Sequence, residues 1–251
     1  MQLTGPDAVA HVLWFAGGLL IVTGLTAGLL RANGAGLGWF PLWVVLRASV
    51  QLAVVALLLR GILAVPATVV AFVALMLTTA SWTAARRLRE VWHGRLAATV
   101  GVLAGALVAL VVVFGLRLVD LQVRYVVAVA GIVVGNSMSA ATLAGRNFLR
   151  SARARAPEVE AWLSLGARPA RAHLEIGREA VRESLIPTLD QTKSTGLVTL
   201  PGAFVGALFG GASPVVAAQF QLVVLAGIAL AMTITALVVT RIAGRTPYVV
   251  V

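Results

Sequence analysis

The sequence has no cysteine, a single lysine and little charge of any kind: 12% of its 251 residues are Asp, Glu, Lys or Arg. The missing cysteines exclude disulfides and thiolate metal sites. A soluble domain of this length would carry about 25% charged residues, so a soluble fold is excluded too. Histidine is almost as scarce. His11, His93 and His173 are scattered and form no ligand cluster at a recognisable metal spacing. Acidic residues number nine, against twenty basic ones.

What fills the chain instead is apolar: 60% of its residues are hydrophobic. The apolar runs recur at the length of about 20 residues that a helix needs to cross a bilayer. They predict an all-α integral membrane protein, a single transmembrane domain over residues 1–251. Its seven spans fall at about 8–30, 39–59, 62–82, 96–116, 124–145, 194–212 and 215–240. The last uncharged run extends from Ser194 to Thr240, too long for one span, and Gly210-Gly211-Ala212-Ser213-Pro214 divides it. No Lys or Arg precedes the first span and its apolar run is long, which argues against a cleaved signal peptide.

Charge sets the orientation. Sixteen of the twenty basic residues fall in 31–38, 83–95, 146–193 and 241–251. Arg60, Arg117 and Arg124 fall in the alternate segments, and Arg47 lies within a span. Basic residues favour the cytoplasmic side, so the N-terminus is expected outside and the C-terminus inside. The net charge of +11 then needs no nucleic-acid partner.

The one long loop, 146–193, has helical character. Pro157, Glu158 and Glu160 suit a helix start, and Gly166 an end. A second helix is expected from Pro169 to about Ile186, with Leu174, Val181 and Leu185 on one face and charges three or four apart on the rest. It reads as a helix at the membrane boundary or as a docking element. Glycines four apart let membrane helices approach closely. Gly202, Gly206 and Gly210 make the strongest such run; Gly24/Gly28, Gly101/Gly105 and Gly131/Gly135 are weaker pairs. The 202–210 face is expected to pack within the chain or against a second copy.

Polar residues inside apolar spans mark pathways or interhelical contacts. The candidates are Arg47 and Gln51 in the second span and Asn136, Ser137, Ser139 and Thr142 in the fifth. Arg47 could also snorkel to the headgroups. Asp190 and Lys193 stand three apart beside the sixth span, so on a helix they share a face. Arg47 is an alternative partner for Asp190. The segment "QTKST" has the lysine and hydroxyl of a phosphate-binding GxxxxGK[ST] loop, but Pro187 and Thr192 replace its glycines. No nucleotide site, cofactor or catalytic group is expected in this chain.

"RASVQL" at 47–52, "GIVVGNSMSAATL" at 131–143, "EAWLSLGA" at 160–167 and "IPTLDQTKSTGLVTLPG" at 186–202 resemble the FetB-type iron-export ABC transporter permease family. That group includes plant aluminium-tolerance permeases. The resemblance implies a permease subunit that works with a separate ATP-binding subunit, two copies of each, exporting iron or another metal ion. It also gives Glu158, Glu160, Ala161 and Gly166 a role in coupling to the ATPase. Glu160, Ala161 and Gly166 hold the spacing of the EAAxxxG loop of ABC importers, with Trp162 in place of its second alanine. Arg178-Glu179 stand where that motif has Leu-Pro, so the importer subclass is not implied. The alternative is a stand-alone secondary transporter or channel for a small charged solute. Absence of convincing self-similarity between the halves weighs against it.

Overall fold

The computed structural model describes residues 6–64 and 67–247. It divides into two compact units, residues 1–64 and 65–251. The first holds two helices, α1 (Pro6–Ala32) and α2 (Phe40–Ala64), which pack on each other. Between them Gly34, Gly36 and Gly38 all take positive φ, a backbone that other residues rarely adopt. The Arg31 guanidinium lies 4.9 Å from the Trp39 ring centroid and ties the turn together. No residue in the apolar window of Phe40–Leu59 is buried within the structure.

The second unit is built on α3 (Thr68–Arg87), α4 (Gly94–Gly115), α5 (Val123–Ala154) and α10 (Pro214–Ala243). Its core is made largely of small residues, among them Ala97, Ala106, Ala140, Ala144, Ala231 and Ala236, all fully buried. In lipid there is little hydrophobic gain in pressing one apolar helix on another, so close approach and dispersion must hold the bundle. Alanine and glycine permit that approach. α10 is central, packing on α4, α5, α8 (Leu174–Lys193) and α9 (Gly202–Phe209).

Among the described residues six helices are long and apolar enough to cross a membrane, not seven. The sixth predicted span, 194–212, is the exception. Its composition is apolar, but Gly196 sits at φ +90 and Pro201 at φ −67, ψ 147, and helix forms only over the eight residues of α9. Gly210 then ends α9, and Gly211 at φ +89 turns the chain into α10. The third span starts at Thr68 rather than 62, because residues 62–64 still belong to α2. The fifth continues well past 145, to Ala154. Arg146, Arg150 and Arg153 end the apolar run there but not the helix, since arginine is a good helix former.

The charged segment 146–193 contains α6 (Ala156–Ser164), a single turn α7 (Pro169–Ala172) and α8. α8 begins after a break at His173 and runs through Pro187 to Lys193, beyond the predicted end at Ile186. Its buried stripe is Ile176, Ala180 and Ser184, while the expected face of Leu174, Val181 and Leu185 is only half-buried beside it. The charges also pair differently. Arg178 bonds Glu175 within the helix, but Glu179 meets Arg155 at 2.7 Å and Glu183 meets Arg150 at 3.1 Å. Arg150 lies on α5 and Arg155 directly after it, so these two pairs fasten α8 to α5.

Candidate functional site

α6 is formed by its ends and held in the core by Val159, with Leu163 packed beside it. Pro157 stands in its first turn with Glu158, where proline and acid suit the free amides. At the other end Ala167 N–H donates to the Trp162 carbonyl at 3.0 Å and Gly166 N–H to Leu163 at 2.9 Å. With Gly166 at φ +82 this is the Schellman stop that glycine makes easy. Val159, 1% exposed, is the anchor in the core. Glu158, Glu160, Ala161 and Trp162 are left exposed on the helix, and Leu165 beyond it is 82% exposed. A short, well-terminated helix that shows acids and two large apolar side chains is suited to fit a groove on another protein.

The second group lies at the end of α8. Lys193 Nζ donates to Asp190 Oδ1 at 3.2 Å, the pairing that the three-residue spacing predicts. Both side chains are well exposed, 60% for Asp190 and 80% for Lys193. Ser194 Oγ donates to the Asp190 carbonyl, which also accepts the Ser194 N–H, and Thr195 Oγ1 donates to the Gln191 carbonyl at the helix end. Pro187 removes one amide donor, yet the helix continues through it.

On α5, Asn136 is half-buried and its Nδ2 donates to the Ile132 carbonyl of its own helix at 2.8 Å. Ser139 and Thr142 likewise bond back along α5, to Gly135 and Met138. Ser137 is fully buried and its Oγ has no partner among the described residues. Ser81 on α3 is in the same state. The polar patch of the fifth span therefore spends its hydrogen bonds within one helix rather than between helices. Arg47 and Gln51 belong to the first unit, one turn apart on α2, and both are exposed there. No group of three or more His, Asp or Glu able to hold a metal ion exists among the described residues.

The glycine runs divide. A Cβ on Gly105 would overlap Thr235 Oγ1 and the Ala231 carbonyl; one on Gly101 would lie 2.9 Å from Val239 Cγ2. α4 and α10 are thus in backbone contact there, and Thr235 Oγ1 donates across to the Gly101 carbonyl at 3.0 Å. A Cβ on Gly202 or Gly206 would meet nothing within 4 Å, and one on Gly210 would meet only carbonyls of its own turn. Two positions escaped the sequence reading. Gln221 on α10, 5% exposed, accepts the Phe204 N–H through Oε1 at 3.1 Å and so caps the start of α9. Thr235 is the other. The available signal for both was a polar side chain inside an uncharged apolar run.

Comparison with known proteins places this geometry in context. The family model described as "Uncharacterised protein family (UPF0014)" matches residues 13–248. The UPF0014 membrane protein STAR2 of Oryza sativa subsp. japonica is 33% identical over 221 residues, which is 87% of this chain and 78% of that protein. The probable iron export permease protein FetB of Escherichia coli (strain K12) is 31% identical over 185 residues, 73% of this chain and 71% of that protein. Protein ALUMINUM SENSITIVE 3 of Arabidopsis thaliana is 36% identical over 150 residues, 60% of this chain and 55% of that protein. No solved structure matches the chain.

Proposed function

Because this chain belongs to the UPF0014 family of membrane proteins, we propose that it works as the permease subunit of an ABC transporter. In this reading both compact units form one transmembrane permease, which exports iron or another metal ion and draws its energy from a separate ATP-binding subunit. It sits in the cell membrane with its N-terminus outside and the segment 146–193 and C-terminus in the cytoplasm, as the basic residues favour. The observation that carries the reading is α6: a helix held in the core by Val159, stopped at Gly166, with Glu158, Glu160, Ala161 and Trp162 outward. That is the element a nucleotide-driven partner would grip, and a self-sufficient channel has no use for it. The iron comes from the name of the Escherichia coli relative, a probable iron export permease. Of the pathway candidates Arg47, Gln51, Asn136, Ser137, Asp190 and Lys193, the side chains of Gln51, Asn136, Ser137 and Asp190 offer oxygen, which hard metal ions prefer.

The test is coupling. Gly166→Val forces a β-branched residue into a φ of +82, and Glu160→Lys reverses an exposed charge. Each permease variant would be co-expressed with its ATPase and purified through it. Both should insert normally, co-purify poorly, and fail to stimulate ATP hydrolysis. Normal co-purification and stimulation in both variants would remove α6 from the coupling role. The second copy of the permease is part of the same reading, and the open 202–210 face supports it.

A further inference from the structure

Where α7 and α8 meet the end of α10 the second unit has a cavity of about 480 Å³. Its walls include Arg178, Arg241 and Arg245, with Leu174, Val181 and Leu237 between them, and no carboxylate lines it among the described residues. Arg178 bonds Glu175 at 2.6 Å, while Arg241 and Arg245 have no ion pair among the described residues. His173 is also on the wall and is 2% exposed. Its Nδ1–H donates to the Pro169 carbonyl at 2.9 Å, which leaves Nε2 buried with no partner. A buried ring nitrogen without a partner is uncommon, and the same ring lies 5.7 Å from that of Phe148.

We propose that this cavity holds the phosphate of an anionic lipid headgroup. Guanidinium groups match phosphate oxygens two at a time, which ammonium groups do not. The depth also fits. α10 is 30 residues long, and about 20 suffice to cross the hydrocarbon. Arg241 in its last turn and Arg245 just after it therefore reach headgroup level. Basic pockets between membrane helices at that level are lipid-headgroup sites. Leu174, Val181 and Leu237 give the lipid's apolar part a wall that free phosphate would not use. That the lipid is in the inner leaflet rests on the orientation proposed above; the site itself does not.

The experiment uses purified full-length permease without its ATPase, so failure of the coupling reading leaves it intact. Equimolar phosphatidylglycerol and phosphatidylcholine are offered in detergent, and retained lipid is counted by native mass spectrometry. Wild type should retain phosphatidylglycerol selectively. Arg241→Gln with Arg245→Gln should lower that retention by about tenfold or more, and Arg241→Lys with Arg245→Lys should restore part of it. Gly177→Leu fills the cavity and leaves every charge in place, so it should also lower retention; a mere surface attraction would survive it. If the glutamine variant does not fold, the wild-type melting temperature decides: it should rise with phosphatidylglycerol and not with phosphatidylcholine. Equal retention of both lipids by wild type overturns the proposal, as does undiminished retention in Gly177→Leu. Displacement of the lipid by inorganic phosphate overturns the lipid assignment in favour of a soluble phosphate. Undiminished retention in the folded glutamine variant overturns it as well.

Discussion

Gly101 and Gly105 on α4 repeat the four-residue spacing of Gly202, Gly206 and Gly210 on α9, yet the two runs have opposite fates. The pair on α4 lies against the backbone of α10. The triple run on α9 meets no other helix among the described residues. Spacing makes a smooth face; it does not supply a partner. α4 finds one because α10 presents Ala231, Thr235 and Val239 at matching intervals, and Thr235 adds a hydrogen bond across the seam. α9 is short, is capped by Gln221, and turns its glycines away. One seam is closed inside the chain. The other is left open, and the ion pair Asp190–Lys193 just before it is exposed as well.

The sharpest way to break the closed seam is Gly105→Ala. A single methyl would overlap Thr235 Oγ1, which can rotate, and the Ala231 carbonyl, which cannot. Overpacking of this kind costs about 1–3 kcal/mol, and contact with backbone puts this site at the upper end. Thermal unfolding of the purified permease should show a clear loss of stability. Gly206→Ala, the same change in the open run, should hold it or raise it slightly, since alanine is the better helix former. Equal effects at the two positions would erase the distinction. Thr235→Val should have a smaller effect. It keeps the shape and removes the hydroxyl, and interhelical hydrogen bonds of this type average about 0.6 kcal/mol.

The six long helices were legible because the cost of placing a side chain in hydrocarbon adds up locally along the chain. α6 was legible because Pro157 and Gly166 act within their own turns. The Asp190–Lys193 pair was legible for the same reason. What could not be read is whatever depends on a second element. Glu179 has Arg182 three residues on, yet it pairs with Arg155 instead, and Glu183, with no basic residue three or four positions away, finds Arg150. Which glycine run closes depends on the residues opposite, and nothing within 101–105 or 202–210 encodes those. The apolar stretch 194–212 had the length of a span. Gly196 and Pro201 override its composition, where a span over 194–212 requires one continuous helix through both.

The Asp190–Lys193 pair sharpens the comparison from the functional side. Exposed ion pairs contribute about 0–1 kcal/mol, so Asp190→Asn and Lys193→Gln should barely alter the unfolding curve. Their effect should be on transport, assayed in cells whose tolerance of excess iron depends on this protein. If the pair only fixes the depth of α8, the double variant should recover much of what either single one loses. If Asp190 acts on the ion or in gating, the double variant stays inactive while expression and ATPase binding are normal. Full activity in Asp190→Asn alone would exclude a functional role for the carboxylate.

The smallest effect on the chain itself is expected from Gly206→Leu, and it is the most informative about assembly. Nothing stands within 4 Å of a Cβ at that position, so the folded permease has room for the side chain. In the middle of α9 the change also replaces a poor helix former by a good one. Stability of the separated chain should therefore hold or rise slightly. A second copy is different. If its α9 glycines meet these at backbone distance, four added carbons on each side force the helices apart. Cross-linking in membranes should then shift from dimer to monomer, and transport should fall with it, although each chain is as stable as before. A dimer that persists in Gly206→Leu would show that the open run is not the contact between copies. The spacing would then have no role in assembly, and the closed seam between α4 and α10 would be the one place where these glycines matter.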